Sequence, residues 1–374
     1  MKVKKYLKVI VSGGGTGGHI FPAISIANAL RTVNPEVEIL FVGALGRMEM
    51  EKVPAAGYEI KGLPVAGFQR KFSLHNINVI FKLFKSMKLA RSIIKSFEPD
   101  VVVGVGGYAS GPVLKIAQRK GIPTLIQEQN SFAGVTNRLL AKKADAICVA
   151  YEGMEKYFPK EKILLTGNPV RQGLEDVSNL KEEAFRFFNI PEGNKVILVL
   201  GGSLGARTIN ESILEDVEKI ASRQDVTLLW QTGKLYYEGV KDSMKNIKAE
   251  NVKVFDFIHR MDLAYASANI IISRAGAGTI SELCLVGKAC ILVPSPNVAE
   301  DHQTKNAKAL AEQNAAILIT DKDSPSKLVN TTINLLSNKV LIEQMELNIK
   351  KMALPNSAQI IAKKVIELAQ DNKK

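Results

Sequence analysis

Short branched-aliphatic stretches alternate with helical patterns along the chain, and the alternation runs twice. Strands are expected at Lys8–Ser12, Val37–Gly43, Asp100–Gly104, Thr124–Gln127 and Asp145–Val149. A second set is expected at Lys195–Leu200, Thr227–Gln231, Val252–Phe255, Asn269–Ile272, Ala289–Val293 and Ala316–Ile319. Strands separated by helices pair in parallel, because a parallel connection needs a crossover long enough to hold a helix. Two such sets predict an α/β protein with two doubly wound, Rossmann-like domains. The first strand of each half runs into a glycine-rich turn, VIVSGGGTGGH at Val9–His19 and VILVLGGSLGAR at Val196–Arg207. Turn residues Gly167, Asn168 and Pro169 mark the expected boundary, giving domains over residues 1–169 and 170–355. A helical tail, about 356–374, is expected to pack back on the first domain.

Composition narrows the class. A chain of 374 residues suits two domains. With 46% hydrophobic and 23% charged residues, it is neither mainly disordered, nor collagen, nor coiled coil. Apolar runs such as Val196–Leu200 stop at five residues, whereas a bilayer-spanning helix needs about twenty. The amino-terminal apolar run is too short for a signal-peptide core of roughly 7–15 residues. Cys148, Cys284 and Cys290 are too scattered for a disulfide framework, so a reducing cytoplasm is expected.

The net charge of +13 is unevenly placed. Residues 1–170 carry 24 Lys and Arg against 12 Asp and Glu, whereas residues 171–374 carry 26 against 25. From Lys61 to Phe97 there are eight basic residues and no acidic one. The later part of this stretch reads as a helix, with Ile80, Phe84 and Met87 on one side and Leu83, Ala90 and Ile94 beside them. Phe68, Phe72, Phe81 and Phe84 add aromatic surface. Two readings stand. The stretch is either a core helix with a solvated basic face, or a surface that rests on an anionic membrane. In the second reading Phe72, Phe81, Lys82, Phe84, Lys85 and Lys88 make the contact, each nearby cation contributing about 1 kcal/mol. Nucleic acid is a third partner class for a basic chain, but no recognised motif supports it and none is expected.

In doubly wound sheets, ligands collect at the carboxyl ends of the strands. Glycine turns there bring backbone N–H groups to helix N-termini, a setting suited to phosphates. Gly13, Gly15 and Gly18 fit the dinucleotide spacing GxGxxG, yet the next strand runs out at Gly43, Ala44 and Leu45 without the carboxylate a nicotinamide ribose wants. The second half fails likewise at Gln231, Thr232 and Gly233, and no P-loop motif occurs. The four histidines, His19, His75, His259 and His302, are dispersed, with no CxxC or HExxH, so no metal site is expected. Asp321-Lys322-Asp323 has the DxD form of some metal-binding sugar transferases. Its place before Ser324-Pro325 reads better as helix capping.

Seven motifs become specific when taken in order. They are GGTGGHIFP (Gly14–Pro22), GVGGYASGP (Gly104–Pro112), QEQN (Gln127–Asn130), GNPVR (Gly167–Arg171), GGSLGAR (Gly201–Arg207), RAGAGTISE (Arg274–Glu282) and DHQTKNA (Asp301–Ala307). Together they resemble the MurG glycosyltransferases over nearly the whole chain. The resemblance implies the GT-B fold, two Rossmann-like domains facing across a cleft. It implies inverting transfer of N-acetylglucosamine from UDP-GlcNAc to the C4 hydroxyl of undecaprenyl-diphospho-N-acetylmuramoyl-pentapeptide, lipid I becoming lipid II, for peptidoglycan synthesis at the cytoplasmic face of the bacterial membrane. UDP-GlcNAc, lipid I and an anionic membrane surface are the implied partners, with no tightly bound cofactor. A GT-B enzyme acting on another lipid, such as diacylglycerol, is the near alternative; GGYASGP favours the muramoyl acceptor. A basic binding module without activity is the alternative of a different class.

The resemblance also implies site residues. Ser203, in the turn after its strand, and Arg171 would meet the donor diphosphate, an arginine fork suiting phosphate oxygens. The backbone of Ile258 would read the uracil edge. Glu282 would accept both ribose hydroxyls, although Thr279-x-x-Glu282 also fits a capping box. Ala277, Gly278 and Thr279 would offer amides; many relatives have leucine where Gly278 stands, which alters the pocket wall. Gln303 would read the sugar hydroxyls, with Asn130 reaching the same sugar from the first domain, whereas His302 departs from relatives that carry glutamine. Thr16, Gly17 and Gly18, together with Asn210, complete the donor set. Gly14, Gly15, Gly106, Gly107 and Tyr108 are assigned to the lipid diphosphate. His19, whose ordinary pKa lies near neutrality, is the candidate general base, and Glu128 is its rival.

Overall fold

The first parallel sheet is built from β1 (Lys8–Ser12), β2 (Glu38–Ala44), β3 (Glu59–Leu63), β4 (Val101–Gly104), β5 (Thr124–Glu128), β6 (Ala146–Val149) and β7 (Ile163–Leu165), in the order β3-β2-β1-β4-β5-β6-β7. The second is built from β8 (Lys195–Leu200), β9 (Val226–Gln231), β10 (Val252–Phe255), β11 (Ile270–Ser273), β12 (Ala289–Leu292) and β13 (Ile317–Leu318), in the order β10-β9-β8-β11-β12-β13. The computed structural model describes residues 6–65, 74–171, 173–174, 176–202, 204–298 and 301–371. The chain divides into two units, Met1–Val170 with Asn356–Lys374, and Arg171–Pro355.

Both sheets are buried on both faces, which is why their strands read as continuous aliphatic runs. In the first unit Val9 and Val11 pack on one face with Ile26, Leu30, Ile361 and Val365. Ile10 and Val102 point to the other, with Ala90, Ile94, Val113 and Leu114. The helix Ser357–Asp371 therefore closes one face of the first sheet, and each fully buried aliphatic such as Ile361 contributes about 1.5–3 kcal/mol. In the second unit Val196 and Leu198 face Tyr265 and Leu283, while Ile197 and Val199 face Trp230 and Leu328.

Two strands escaped the sequence reading. β3 lies at one edge and is only partly buried; β7, three residues long, lies at the other. Edge strands carry a weak hydrophobic pattern because they have one strand neighbour and little core to fill. Conversely, Asp100, Asp145 and Asn269, read as strand residues, stand just before their strands. Their side chains instead accept the amides of Lys8, Thr124 and Val196, at 2.9, 2.7 and 2.8 Å, pinning neighbouring strand starts together.

The strand order reverses between β1 and β4, and between β8 and β11. Registers end level there: Ser12 lies beside Gly104, and Leu200 beside Ser273. Connections leave in opposite directions at such a switch point, opening a crevice at the strand ends. The four loops that begin there are the glycine-rich ones.

Candidate active site

In the first unit the loops after β1 and β4 touch. A Cβ on Gly107, whose φ is +79°, would lie 2.3 Å from the Gly14 carbonyl oxygen. A Cβ on Gly106, at φ +91°, would lie 2.9 Å from the His19 ring. The missing side chain thus makes the room in which the imidazole lies, and the left-handed backbone suits glycine. His19 Nδ1 is 3.2 Å from the Thr16 hydroxyl, one turn earlier in the helix Gly17–Val33. The first-turn amides of that helix, Gly17 and Gly18 among them, have no intrahelical partner by construction. Tyr108 is 58% exposed, so its phenol is open to a ligand.

Gly15, expected at the lipid diphosphate, meets a carboxylate of the chain. Its amide donates to Glu49, at 3.1 and 3.0 Å to the two carboxylate oxygens, and Glu49 also accepts the Ala44 amide at 2.9 Å. Glu49 is only 1% exposed, and its side chain fills the space beside Gly14 and Gly43. The Gly14–Gly15 nest is thus occupied by an anion of the chain itself. The sequence reading looked for a carboxylate only at the end of the second strand; this one stands a turn further on.

Glu128 is likewise engaged. One oxygen accepts the Asn130 amide at 3.1 Å and its side chain at 3.4 Å. The other accepts Gly134 N–H and Asn137 Nδ2, both at 2.9 Å. A carboxylate has about four acceptor positions. All are taken by the loop and the helix that follows it, so Glu128 clamps this segment and holds Asn130 in place. Gln127 and Gln129 of the same motif turn inward instead. Gln127 donates to Asn168 at 3.1 Å, and Asn168 donates to the Gln129 carbonyl at 3.0 Å.

In the second unit Ser203 lies outside the described residues. The loops after β8 and β9 interlock, since a Cβ on Gly233 would lie 2.2 Å from the Gly205 nitrogen. Asn210, expected near the diphosphate, is 2% exposed and ties the sheet: it donates to the Thr232 carbonyl at 2.9 Å and accepts the Trp230 indole N–H at 3.0 Å. Both polar atoms of its side chain are thus engaged within the second unit. The Ile258 amide donates to Gln231 Oε1 at 2.8 Å, and the Ile258 side chain lies in the core. A base reading the Ile258 backbone would thus meet its carbonyl first, because Gln231 already holds the amide.

Glu282 projects from the helix Ala277–Val286, whose N-cap is Gly276, so Thr279 stands inside the helix and the capping box does not form. Its carboxylate meets the Arg171 Nε at 3.2 Å and the Tyr265 hydroxyl at 2.8 Å. Burial pushes the Glu282 carboxyl above its usual range, with Arg171 and the Tyr265 hydrogen bond pulling back. Ala277, Gly278 and Thr279 form the first turn of this helix. Gln303 lies in the first turn of the helix His302–Ala311 and accepts the Ser295 amide on Oε1 at 2.9 Å, a bond that does not use its NH2 group. Asp323 is the N-cap residue of the helix Ser324–Leu336, although its side chain makes no capping hydrogen bond. Asp321 pairs with Arg274 and accepts the Thr208 hydroxyl at 2.9 Å, and Asp323 accepts the Thr320 hydroxyl at 2.9 Å. Among the described residues no three His, Cys, Asp or Glu side chains gather as a metal site.

The basic stretch forms the helix Leu74–Phe97; Phe68 and Phe72 lie outside the described residues. Ser86, Ala90 and Ile94 are buried, whereas Phe81 and Phe84 are 68% and 70% exposed beside exposed Lys85 and Lys88 and half-buried Lys82. Phe84 thus lies on the solvent side with Phe81, away from buried Ala90 and Ile94. Among the described residues no helix is long and apolar enough to cross a membrane.

Family models describe both units. Residues 9–149 match the glycosyltransferase family 28 N-terminal domain and residues 196–361 its C-terminal domain. A UDP-N-acetylglucosamine--N-acetylmuramyl-(pentapeptide) pyrophosphoryl-undecaprenol N-acetylglucosamine transferase of Bacteroides thetaiotaomicron is 56% identical over 98% of this chain and 99% of its own. The transferase of that name from Phocaeicola vulgatus is 56% identical over 100% and 99%. The crystal structure of Acinetobacter baumannii MurG superposes with a TM-score of 0.77 at 28% identity, covering 96% of this chain and 99% of that one. The chain belongs to the MurG family of glycosyltransferases. Its fold is GT-B. A UDP-GlcNAc 2-epimerase from Neisseria meningitidis shares that fold at a TM-score of 0.64 and 16% identity.

Proposed function

We propose that this MurG-family chain moves N-acetylglucosamine from UDP-GlcNAc to the C4 hydroxyl of undecaprenyl-diphospho-N-acetylmuramoyl-pentapeptide, inverting the anomeric centre and making lipid II. The observation that carries the reading is 56% identity, from end to end, to transferases named for that reaction.

The second unit binds the donor. Glu282 accepts the ribose hydroxyls through the lone pairs that Arg171 and Tyr265 leave open. Arg171 spends its Nε on Glu282, and no described residue takes its Nη atoms, so they are left to meet the diphosphate. Such a charge-assisted contact strengthens as charge grows on the leaving UDP, which lowers the barrier. Ser203 and the first-turn amides Ala277, Gly278 and Thr279 add donors to the same phosphates and sugar, the Gln303 NH2 group reads a sugar hydroxyl, and the Ile258 carbonyl reads the base. Thr16, Gly17, Gly18 and Asn130 of the first unit belong to the same proposed donor set.

The first unit binds the acceptor. Gly106, Gly107 and Tyr108 meet the lipid diphosphate, with the helix N-terminus at Gly17 and Gly18 nearby. His19 takes the proton of the C4 hydroxyl. In the tautomer whose Nδ1–H donates to the Thr16 hydroxyl, Nε2 is the unprotonated nitrogen and serves as base. Phe81, Phe84, Lys82, Lys85 and Lys88 rest the enzyme on the cytoplasmic face of the membrane that holds its acceptor, Phe72 adding to them. Incubation with labelled UDP-GlcNAc and lipid I tests the reaction. A GlcNAc-containing lipid II is the expected product; its absence with folded protein, or label on diacylglycerol instead, overturns the proposal.

A further inference from the structure

We propose that Tyr265 is a positioning residue of the donor site, holding the Glu282 carboxylate in the one orientation that accepts both ribose hydroxyls. The inference rests on the ribose role given to Glu282 above and deepens it. Tyr265 sits on the helix Met261–Ser267, is 1% exposed, and packs its ring in the apolar core of the second unit. Its hydroxyl is spent on Glu282 Oε2 at 2.8 Å. Among the described residues the other carboxylate oxygen meets the Arg171 Nε alone, at 3.2 Å, from a side chain 47% exposed. The two contacts differ in kind: one comes from a ring fixed by packing, the other from a long half-solvated arm.

A glutamate has three side-chain torsions, and accepting a vicinal diol needs both oxygens in one plane facing the sugar. Two partners, one on each oxygen, fix that plane and leave an acceptor position on each. Without the phenol the carboxylate is held at one end and swings. Burial first, and the Glu282 charge next, push the Tyr265 phenol well above its usual value, so at neutral pH it is always the donor.

The test is Tyr265→Phe, which removes one oxygen and no packing volume. Calorimetric titration of wild type and variant with UDP and with 2′-deoxy-UDP reads the ribose contact directly. Wild type should prefer UDP, and Tyr265→Phe should narrow that preference about tenfold, the lower end of the range for one lost hydrogen bond to a charged group. KM for UDP-GlcNAc should rise by a similar factor with kcat kept, a split that a general loss of packing does not make. In a Glu282→Ala background the same change should add nothing. Should Tyr265→Phe fold poorly, Glu282→Asp draws the carboxylate out of reach of the phenol and should lose the preference in its place. An unchanged preference and KM in Tyr265→Phe, with Glu282→Ala impaired, overturns the positioning role alone. Wild type that binds UDP and 2′-deoxy-UDP equally overturns the ribose role of Glu282 and this inference with it.

Discussion

Glu49 holds the backbone amide of Gly15 with both carboxylate oxygens, at 3.1 and 3.0 Å. A buried anion inside a glycine nest does there what a bound phosphate does elsewhere: it orients the N–H groups of the loop. In the proposed acceptor site, that leaves the Gly106–Gly107 loop and the first turn of the helix Gly17–Val33 for the diphosphate.

Glu49→Ala should strip that loop of its brace. The Gly15 and Ala44 amides lose their acceptor, at a cost of about 1–3 kcal/mol for a buried unsatisfied group. Urea denaturation should show the loss, and steady-state kinetics should show a raised KM for lipid I with KM for UDP-GlcNAc nearly kept. Equal rises in both would place Glu49 outside the acceptor loop's function.

Gly106→Ala puts a methyl group 2.9 Å from the His19 ring, on a residue with φ +91°. The imidazole must shift, so turnover should fall by about a hundredfold or more, approaching the loss from His19→Ala. Donor affinity should hold. Near-wild-type turnover in either variant would remove His19 from the chemistry.

In its proposed ribose role, Glu282 should carry the pH dependence of donor binding. The ribose hydroxyls need the carboxylate anion, and burial raises the pKa of this group. The raised value means that on acidification the anion is lost earlier than an ordinary glutamate would lose it. UDP affinity should therefore be full at neutral pH and weaken while the solution is still above the usual glutamate range. Glu282→Ala should bind UDP about tenfold to a hundredfold more weakly at neutral pH and lose this acid limb. Calorimetry across pH reads both effects; an acid limb that survives the substitution assigns it to another group.

Charge reversal at Lys82, Lys85 and Lys88 should release the protein from vesicles containing anionic lipid. Each lysine near the surface contributes about 1 kcal/mol, so three reversals should cost at least a hundredfold in partitioning at low salt. Activity on a short-chain soluble acceptor should be kept. Equal sedimentation of variant and wild type with vesicles would return the helix to a plain solvated face.

The two parallel sheets were legible in the chain because hydrophobic periodicity is local: VILVL between polar turns specifies a buried strand wherever it lies. Glycine turns following Ser12, Gly104 and Leu200 were legible for the same reason, since each follows its strand directly. What stayed hidden were the partners. Glu49 meets Gly15 across 34 residues, Asp321 meets Thr208 across 113, and Tyr265 meets Glu282 across 17. Nothing in the residues around Glu128 or Asn210 announces that their polar atoms are consumed by the fold and withheld from a ligand. A hydrogen bond depends on where two strands or helices end up side by side. That placement comes from packing the whole sheet, and it decides which of several equally plausible polar side chains faces a ligand and which merely braces the one that does.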